Sequence, residues 1–520
     1  MRSLSRILLV ASNHSLRFAV VRMATFRVHS GLSSESGLPD SQVVLIGKNS
    51  LLKSIQFDDQ LANKLKGVDK SLFENAVKRL QSGGSSIPLH LDLAKLISVS
   101  DETGRYNAPS NPIAIYKELR GLPIANGVTK LNIILYAEYE NVFSSVSAAS
   151  RVFPTYSRKT GNKSGGLETV QLEIVVTNGK KLTEKDVSFL QTLSDSIRSA
   201  QYQIDAPCNE FHSEAFAADA ERLVDALNAD VKKTIIKGED LLKKGFGGIY
   251  HVGKAARHPP IFACFSYTPS SATESYALVG KGIVYDTGGM QIKTKTGMPS
   301  MKIDMAGAAG LLAAFCTLVK SNFKQNLHCL LCIAENNISP DANRPDDVIK
   351  MLSGKTVEIN NTDAEGRLVL SDGVWYAKNE LKCQTIIDMA TLTGAQSYAS
   401  GKYHASILCN SEVIEQSAVH AGKKSGDLVH PLIYAPELHF ASNLKSAVAD
   451  MKNTNLGSMD GPPSAIAGLF IGAHIDFSSD VEWIHIDMAA PAFTNDRATG
   501  YGPSLVCALL AKHTDVDVAK

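Results

Sequence analysis

The chain has 520 residues, of which 44% are hydrophobic and 20% charged, and its formal net charge is +1. This length exceeds what one hydrophobic core usually serves, so two domains are expected. The near balance of charge gives no overall electrostatic reason to bind nucleic acid or an anionic membrane surface. No apolar run approaches the roughly 20 residues that span a bilayer.

Residues 1–34 contain five arginines and several serines but no acidic residue, which is typical of a mitochondrial presequence. The alternatives are a leader without a targeting role, or translation from Met23. The eight cysteines are scattered, mostly within apolar segments, which indicates an intracellular, reducing location. We therefore expect a cytoplasmic protein, with mitochondrial import through residues 1–34 as the alternative.

From Gln42 onward, short aliphatic or β-branched runs alternate with amphipathic helices. Strands are predicted at 43–46, 131–136 and 169–176, and helices at 72–80, 141–152 and 183–203. The segment Asp205–Glu210 then breaks the pattern. We therefore divide the chain into a leader (1–34), an N-terminal α/β domain that ends in a linker helix (35–204), and a C-terminal domain (205–520). The first half shows no cluster of catalytic residue types.

The second half alternates more densely. Strands are predicted at 234–236, 261–267, 276–279, 283–285, 327–333, 385–389 and 406–409. Helices are predicted at 215–229, 306–320, 366–378, 414–423 and 465–474. Such alternation favours a mainly parallel mixed sheet with helices on both faces. Functional sites in these sheets lie at the carboxyl ends of the strands.

The segment Asn360–Leu368 places Asp363, Glu365 and Arg367 at alternate positions after the strand-like run Thr356–Ile359. In an extended segment these three side chains would point to one side and meet in one pocket. The alternative is a loop-to-helix junction, because acidic residues favour helix N-termini.

A second group of charged residues lies upstream. Lys281 and Asp286 occupy one strand-like run, Lys293 follows shortly after, and Asp304 lies across a loop. Glycines after Asp286 allow a ligand to approach the backbone closely. Asp286 and Asp304, together with the acids at 363 and 365, make a set of four carboxylates. Such a set could hold two divalent cations if some of the carboxylates bridge both ions.

These residues closely resemble the motifs of the leucyl aminopeptidase family of two-metal exopeptidases. The resemblance rests on the spacing of the upstream lysines and aspartates, on Asn361–Leu368, and on Ala390–Ala395, which is similar to the family's next active-site loop. Asp205–Glu210 and Gly245–Ala256 resemble most the leucyl-aminopeptidase-like subgroup of animals. The resemblance implies a smaller N-terminal α/β domain, a larger catalytic α/β/α domain, peptide substrates with a free N-terminus, and a homohexamer.

The family's metal ligands can be placed on this chain. The resemblance implies two divalent ions per subunit, zinc with manganese or magnesium as alternatives. Asp286 and Glu365 would bridge both ions, Lys281 and Asp304 would complete one site, and Asp363 would complete the other.

The resemblance also implies catalytic and substrate-binding roles. A metal-bridged water would attack the peptide, Lys293 would stabilise the oxyanion, and Arg367 would hold a bicarbonate that acts as general base. Substrate contacts are implied for Lys293, Met301, Asp304, Leu392 and Gly394. Met301 would form a wall of the pocket for the N-terminal side chain, which suggests a preference for apolar residues such as leucine.

Other functions are disfavoured by missing motifs. The sequence contains no His-Glu-x-x-His, no Gly-x-Ser-x-Gly in a strand-to-helix setting and no P-loop. His485 lies in an apolar run and is interpreted as a core residue. Two alternatives remain: a catalytically dispensable oligomeric scaffold, and a dipeptidase specificity such as one for cysteinylglycine. Departures from the family pattern affect side-chain preference and occur at Tyr285, Thr287, Met290, Gln291 and Ala306.

Overall fold

A computed structural model of the chain describes residues 24–35, 37, 41–160, 166–457 and 460–520. The chain divides into two units: residues up to 103 and 110–183 form the first, and residues 104–109 and 184–520 form the second. The helix Glu184–Asp205 thus belongs to the second unit, whereas the predicted boundary at 205 placed it in the first. Both units are α/β, as predicted.

The first unit is built on a six-stranded sheet in the order β1-β6-β5-β2-β4-β3, parallel except for β3 against β4. Its strands are β1 Thr25–Ser30, β2 Ser41–Lys48, β3 Ser85–His90, β4 Ala94–Val99, β5 Lys130–Ala137 and β6 Thr169–Val176. Its helices are α1 Asn49–Lys53, α2 Asp59–Lys64, α3 Lys70–Lys78, α4 Pro112–Arg120 and α5 Tyr139–Ser150. Central strand β2 is buried almost throughout, from Ser41 to Gly47, because helices cover both faces of a parallel sheet.

Strand β1 lies within the segment that the sequence analysis assigned to a leader. Its residues pair in parallel register with β6, from Thr25 opposite Thr169 to Ser30 opposite Ile174. Arg27 and its neighbours, within the segment predicted as a leader, thus belong to the sheet. Residues 1–23, which carry the other four arginines, lie outside the described residues.

The second unit contains an eight-stranded mixed sheet in the order β15-β14-β17-β13-β9-β10-β8-β7. Its strands are β7 Val231–Lys237, β8 Ile261–Tyr267, β9 Ser275–Asp286, β10 Asn326–Asn336, β13 Thr385–Ala390, β14 Ala405–Cys409, β15 Val429–Pro431 and β17 Glu482–Asp487. Two smaller sheets contain β11 Val348–Lys350, β12 Thr356–Glu358 and β16 Met451–Lys452, and β18 Phe493–Thr494 and β19 Arg497–Ala498.

The helices of the second unit surround this sheet. They are α6 Glu184–Asp205, α7 Ser213–Asp225, α8 Glu239–Lys243, α9 Gly247–Gly253, α10 Ala306–Lys320, α11 Gly366–Asn379, α12 Gln396–Ser400, α13 Glu412–Ser425, α14 Pro436–His439, α15 Pro463–Ala473 and α16 Pro503–Leu510. Short 3-10 helices span Met301–Met305 and Ala511–His513. The sequence analysis found no apolar run of membrane-spanning length, but within the described residues Met301–Lys320 is long and apolar enough to cross a membrane. Its apolar window is 83% buried inside the protein, as in a core helix.

Strand β9 is continuous over twelve residues, although the sequence analysis predicted two strands separated by Gly280 and Gly282. These glycines are required by packing. A Cβ at Gly280 would lie 2.4 Å from the Cα of Ala308 in α10, and one at Gly282 would lie 3.0 Å from the carbonyl oxygen of Cys332. Helix α10 can therefore approach the sheet closely, and the strand reaches the edge where Asp286 ends it.

Four neighbouring parallel strands, β10, β9, β13 and β17, bring their carboxyl ends to one edge of the large sheet. Asn336, Asp286 and Asp487 are the last residues of β10, β9 and β17, and Thr391 follows β13. This edge is where ligands bind in sheets of this kind.

Candidate active site

The segment Asn360–Leu368 is not extended. Residues 360–365 form a loop after β12, and α11 begins at Gly366 with Glu365 already in helical conformation (φ −75°, ψ −33°). The expected convergence of Asp363, Glu365 and Arg367 through strand-like alternation is therefore wrong. The alternative prediction, a loop-to-helix junction, describes the backbone.

Two side chains from distant segments hold this loop. Asn453 Oδ1 accepts hydrogen bonds from two successive backbone N–H groups of the loop at 3.0 and 3.2 Å. Gln291 Oε1 accepts from the backbone N–H of Thr362 at 2.6 Å, and the Gln291 backbone N–H donates to Thr362 Oγ1 at 2.9 Å. Because these bonds satisfy loop backbone groups, they fix the positions of Asp363 and Glu365.

Lys281 lies at the centre of the buried part of the site. Its Nζ is 2.8 Å from Asp304 Oδ1 and 2.9 Å from Glu365 Oε1, and it donates to the carbonyl of Thr391 at 3.0 Å. The first residue of α11 must be glycine here, because a Cβ at Gly366 would lie 2.4 Å from the Cε of Lys281.

Lys293 lies at the more open part of the site. Its Nζ is 2.7 Å from Asp286 Oδ2 and 2.5 Å from Asp363 Oδ1. Asp286 Oδ1 accepts from the backbone N–H of Gly288 at 2.9 Å and from Asn336 Nδ2 at 2.8 Å. The structure thus brings together all four predicted carboxylates and both predicted lysines.

Asn336 is a site residue that the sequence analysis missed. Its Nδ2 donates to Asp286 Oδ1, to the carbonyl of Thr362 at 3.1 Å, and to Glu365 Oε2 at 3.4 Å. The sequence could have predicted it, because Asn336 follows the run that forms β10. In the sheet it pairs in register with Asp286 at the end of β9. Asn453 had no such signal, since it lies 92 residues from the loop backbone that it binds.

Burial and neighbouring charges set the protonation of the cluster. Burial, reinforced by Glu365, raises the pKa of Asp286 to about 6, and burial raises the pKa of Asp304 well above its usual value. Burial also disfavours ionised Glu365, but the ammonium groups of Lys281 and Lys293 outweigh it and lower its pKa. Burial disfavours charged Lys281 as well, yet Asp304 and Glu365 prevail and raise its pKa.

The cluster fits divalent cations. Its four carboxyl groups form ion pairs with two ammonium groups, those of Lys281 and Lys293, and carboxylates in excess of cations at a largely buried site favour the binding of further cations. Oxygens of Asp286, Asp363 and Glu365 lie within 4.8 Å of one another. Within the described part of the chain, Asp304 Oδ2 is buried without a hydrogen-bond partner. Carboxylate oxygens suit hard and borderline divalent ions.

Lys281 imposes a condition on such binding. An amine binds a metal only when it is neutral, and the carboxylates alone favour its charged form. A cation that takes this nitrogen as a ligand must therefore displace a proton, so metal occupancy is expected to fall in acid.

Arg367 adds a further cation next to Glu365. One of its terminal nitrogens (Nη1) donates to the carbonyl of Asn453 at 2.8 Å, and its Nε is buried without a hydrogen-bond partner among the described residues. Burial lowers the pKa of Arg367 to about 10, which leaves it charged at neutral pH. A buried guanidinium with an unused N–H donor fits a small anion.

The residues predicted to contact substrate lie around this cluster. Met301 begins the 3-10 helix that carries Asp304, and residues three apart in such a helix lie on the same side. The backbone N–H of Leu392 donates to Asp487 Oδ1 at 3.1 Å, in the loop after β13. Gly394 is exposed, with open space where a Cβ would lie. Their contacts with substrate stay predictions.

His485 is confirmed as a core residue. Its Nδ1 lies 2.5 Å from Asp388 Oδ1, and Asp388 Oδ2 accepts from Trp483 Nε1 at 2.7 Å, with the His485 and Asp388 side chains fully buried. Among the positions that depart from the family pattern, Gln291 braces the loop and Met290 is 47% exposed. Neither of them is one of the predicted ligands.

Comparison with protein families gives two matches. Residues 198–507 match the model of the cytosol aminopeptidase family catalytic domain, and residues 41–162 match the M17 aminopeptidase N-terminal domain 2. The first match covers more than half of the chain.

Individual relatives agree with this assignment. Leucine aminopeptidase 1 of Caenorhabditis elegans is 50% identical over 504 residues, which are 96% of this chain and 99% of the relative. Human "Probable aminopeptidase NPEPL1" is 44% identical over 496 residues, 94% of this chain and 93% of the relative.

Solved structures agree as well. The structure of C. elegans leucine aminopeptidase matches with a TM-score of 0.91 at 49% identity, over 96% of this chain and 100% of the other. Leucyl aminopeptidase of Trypanosoma brucei in complex with bestatin matches with a TM-score of 0.82 at 32% identity, over 95% and 96%. The chain therefore belongs to the M17, or leucyl, aminopeptidase family of metallo-exopeptidases.

Proposed function

We propose that this chain releases N-terminal amino acids, preferentially apolar ones such as leucine, from peptides with a free α-amine. It would use two divalent ions, zinc with manganese or magnesium as alternatives. The observation that carries the proposal is the cluster of four carboxylates around two lysines at the carboxyl edge of the large sheet, in which three carboxylates are buried and Asp363 is exposed. Such an excess of carboxylate suits a pair of cations better than a closed set of ion pairs.

The residues that would hold the ions are Lys281, Asp286, Asp304, Asp363 and Glu365. As the resemblance implies, Asp286 and Glu365 would be the two that the ions share, and the amide of Asn336, which donates to both, holds them next to each other. The chemistry that bound ions supply at such a site is polarisation of a carbonyl and a lowered pKa of water.

Lys293 is the electrophile of the proposal. Its side chain is 16% exposed, whereas that of Lys281 is 3% exposed, so Lys293 is the lysine that a substrate can reach. An ammonium group placed there stabilises the negative charge that develops on the carbonyl oxygen during attack. Arg367, with its unused N–H donor, would hold bicarbonate, and the bicarbonate would accept the proton of the attacking water.

Met301 supports the preference for apolar residues. It lies one 3-10 turn before Asp304, so its thioether would border the pocket next to a metal ligand. An apolar wall discriminates between side chains by about 1–3 kcal/mol, or roughly 10–200-fold.

A homohexamer and a cytoplasmic location also belong to the proposal, with mitochondrial import through residues 1–34 as the alternative location. Exposed apolar side chains on the second unit, among them Tyr398, Leu438 and Val448, suit an assembly that covers them. A monomer mass by light scattering would contradict the hexamer. Import would be contradicted if residues 1–34 leave a fused reporter in the cytoplasm.

The test is turnover of aminoacyl-amidocoumarins by the purified full chain. We expect leucyl and methionyl substrates to exceed aspartyl and lysyl ones by at least about tenfold. A chelator should abolish turnover, and zinc, manganese or magnesium should restore it. Turnover that is insensitive to the chelator would reject the metal mechanism. Faster cleavage of cysteinylglycine than of leucyl peptides would favour the dipeptidase specificity instead.

A further inference from the structure

A second group of metal-ligating side chains lies outside the active site and consists of His212, Glu214 and His258. His212 and Glu214 lie at the N-terminal end of α7, and His258 lies in the segment before β8. Ser213 Oγ donates to the carbonyl of Pro259 at 2.8 Å, and Ser213 is fully buried. This bond holds the two segments together, so the fold keeps the three side chains near one another.

The two imidazole rings are stacked, with centroids 3.6 Å apart and planes 8° from parallel. His258 Nδ1 lies 2.9 Å from Glu214 Oε2. His212 Nδ1 is buried and has no hydrogen-bond partner among the described residues. Burial, together with His258, lowers the pKa of His212 and so favours the neutral imidazole, which is the form that binds metals.

An ion pair between Glu214 and His258 does not explain why the Nδ1 of His212 is buried, because that pair supplies no hydrogen bond to this atom. Glu335 is near enough to act electrostatically on His212, and Glu335 Oε2 also accepts from the thiol of Cys208 at 3.7 Å. Imidazole, carboxylate and thiol are the donors that borderline divalent ions prefer.

We infer that His212, Glu214 and His258 form an ancillary binding site for a borderline divalent cation, with zinc as the expected occupant. The site shares no residue with the carboxylate and lysine cluster. Its three ligand atoms lie within 4.8 Å of one another. The ligands of one tetrahedral zinc lie about 3.4 Å apart, so the wider separations must contract by up to about 1.4 Å.

Binding also requires the rings to separate. Two parallel rings at stacking distance cannot both direct an in-plane lone pair at one ion, so the ring of His258 must tilt away from His212. The ion would take the place of the proton shared by His258 and Glu214. Water would complete the tetrahedron, because the group is half-exposed.

The experiment measures zinc bound to the purified full chain after stripping with a chelator and dialysis against zinc. We expect the wild type to bind one more zinc per chain than His212→Ala or His258→Gln. The matched control is His420→Ala, an exposed histidine on α13, which should bind as much zinc as the wild type. In both variants, we expect turnover of leucyl-amidocoumarin within twofold of the wild type, which would show that the catalytic ions are retained.

A crystal soaked in zinc locates the ion directly. An anomalous difference peak between the two separated rings supports the site. Anomalous peaks confined to the carboxylate and lysine cluster overturn it. Equal zinc content in the wild type and both variants also overturns it, even where the variants lower Tm, because that combination identifies the group as a structural ion pair with a stacked ring.

Discussion

Each unit of the molecule buries lysine against carboxylate, and the two arrangements differ in their charge balance. In the first unit, Lys64 Nζ lies 2.6 Å from Glu173 Oε1 with both side chains fully buried, and the hydroxyl of Ser33 bonds to both. In the second unit, Lys281 and Lys293 face four carboxylates. The first group is closed in charge, with one cation for one anion, although Glu173 Oε2 has no hydrogen-bond partner among the described residues. The second group is not closed in charge.

The comparison separates structural from functional buried charge. A closed pair is neutral, and breaking it leaves a buried charge that destabilises the fold. The open cluster holds four carboxyl groups against three cationic groups even when Arg367 is counted, and burial raises the pKa of two of the carboxyl groups, Asp286 and Asp304. A bound cation would therefore stabilise the ionised carboxylates more than the surrounding protein does. Removing one member should therefore affect stability in the first unit and catalysis in the second.

The largest effect is expected for Glu365→Gln. The amide keeps the shape of the side chain but loses the charge that both ions would share, so kcat/KM should fall by at least about a thousandfold. In the presence of a chelator, the Tm of this variant should equal that of the wild type or be slightly higher, because the variant has one negative charge less in the cluster. Glu380→Gln, at the exposed end of α11, is the control, and turnover of Glu365→Gln within tenfold of the wild type would contradict the assignment.

The converse variant in the first unit is Lys64→Met. It leaves Glu173 buried without its cation, so unfolding in urea should require about 3–5 kcal/mol less free energy. The double variant with Glu173→Leu should recover most of this loss. Lys70→Met is the control, because Lys70 and Glu74 form an exposed pair at 3.9 Å that contributes little. A loss below about 1 kcal/mol for Lys64→Met would show that the buried pair is not closed in solution.

Lys293→Ala distinguishes two roles within the open cluster. If Lys293 acts on the substrate rather than holding ions, kcat should fall by about a hundred- to a thousandfold while metal content stays at the wild-type level. Lys295→Ala is the control, since Lys295 lies on the same loop and is exposed. Loss of bound metal in Lys293→Ala, measured by elemental analysis, would assign this lysine to ion binding instead.

The sequence was sufficient to predict those site residues whose role is visible within a short stretch of the chain. Asp286 follows a run of strand-forming residues and precedes Gly288 and Gly289, and Asp363 and Glu365 lie within one loop, so their chemistry is visible locally. The fold does not follow from such windows alone. Two strands were predicted, at 276–279 and 283–285, whereas one continuous strand forms and its Gly280 permits contact with α10. That contact depends on a residue 28 positions away.

The remaining parts of the site depend on tertiary contacts. Asn453 and Gln291 act through loop backbone groups that are distant in sequence, so their types and neighbours carry no signal. The extended conformation predicted for Asn360–Leu368 was wrong for a similar reason. Alternation of charges matches a strand, but the loop is held by Asn453 and ends in a helix, and only the tertiary bonds decide between the two.

The smallest effect is expected at a buried histidine, where burial disfavours the protonated form. His474 is 1% exposed, and its Nδ1 lies 2.7 Å from Ser353 Oγ. Burial, with Lys355 nearby, lowers its pKa to about 3, against about 6.5 in the unfolded chain. Its contribution is therefore complete above pH 6.5 and is lost as pH falls towards 3, by about 1.4 kcal/mol per pH unit.

His474→Gln removes this titration while keeping a side chain that can bond to Ser353. Between pH 7 and pH 5, the free energy of unfolding should fall by about 2 kcal/mol less in the variant than in the wild type. A chelator must be present throughout, so that acid release of ions from the open cluster does not add to the slope. His420→Gln, at an exposed position, should follow the wild type. Parallel curves for His474→Gln and the wild type would mean that His474 reaches water and accepts a proton in the folded protein.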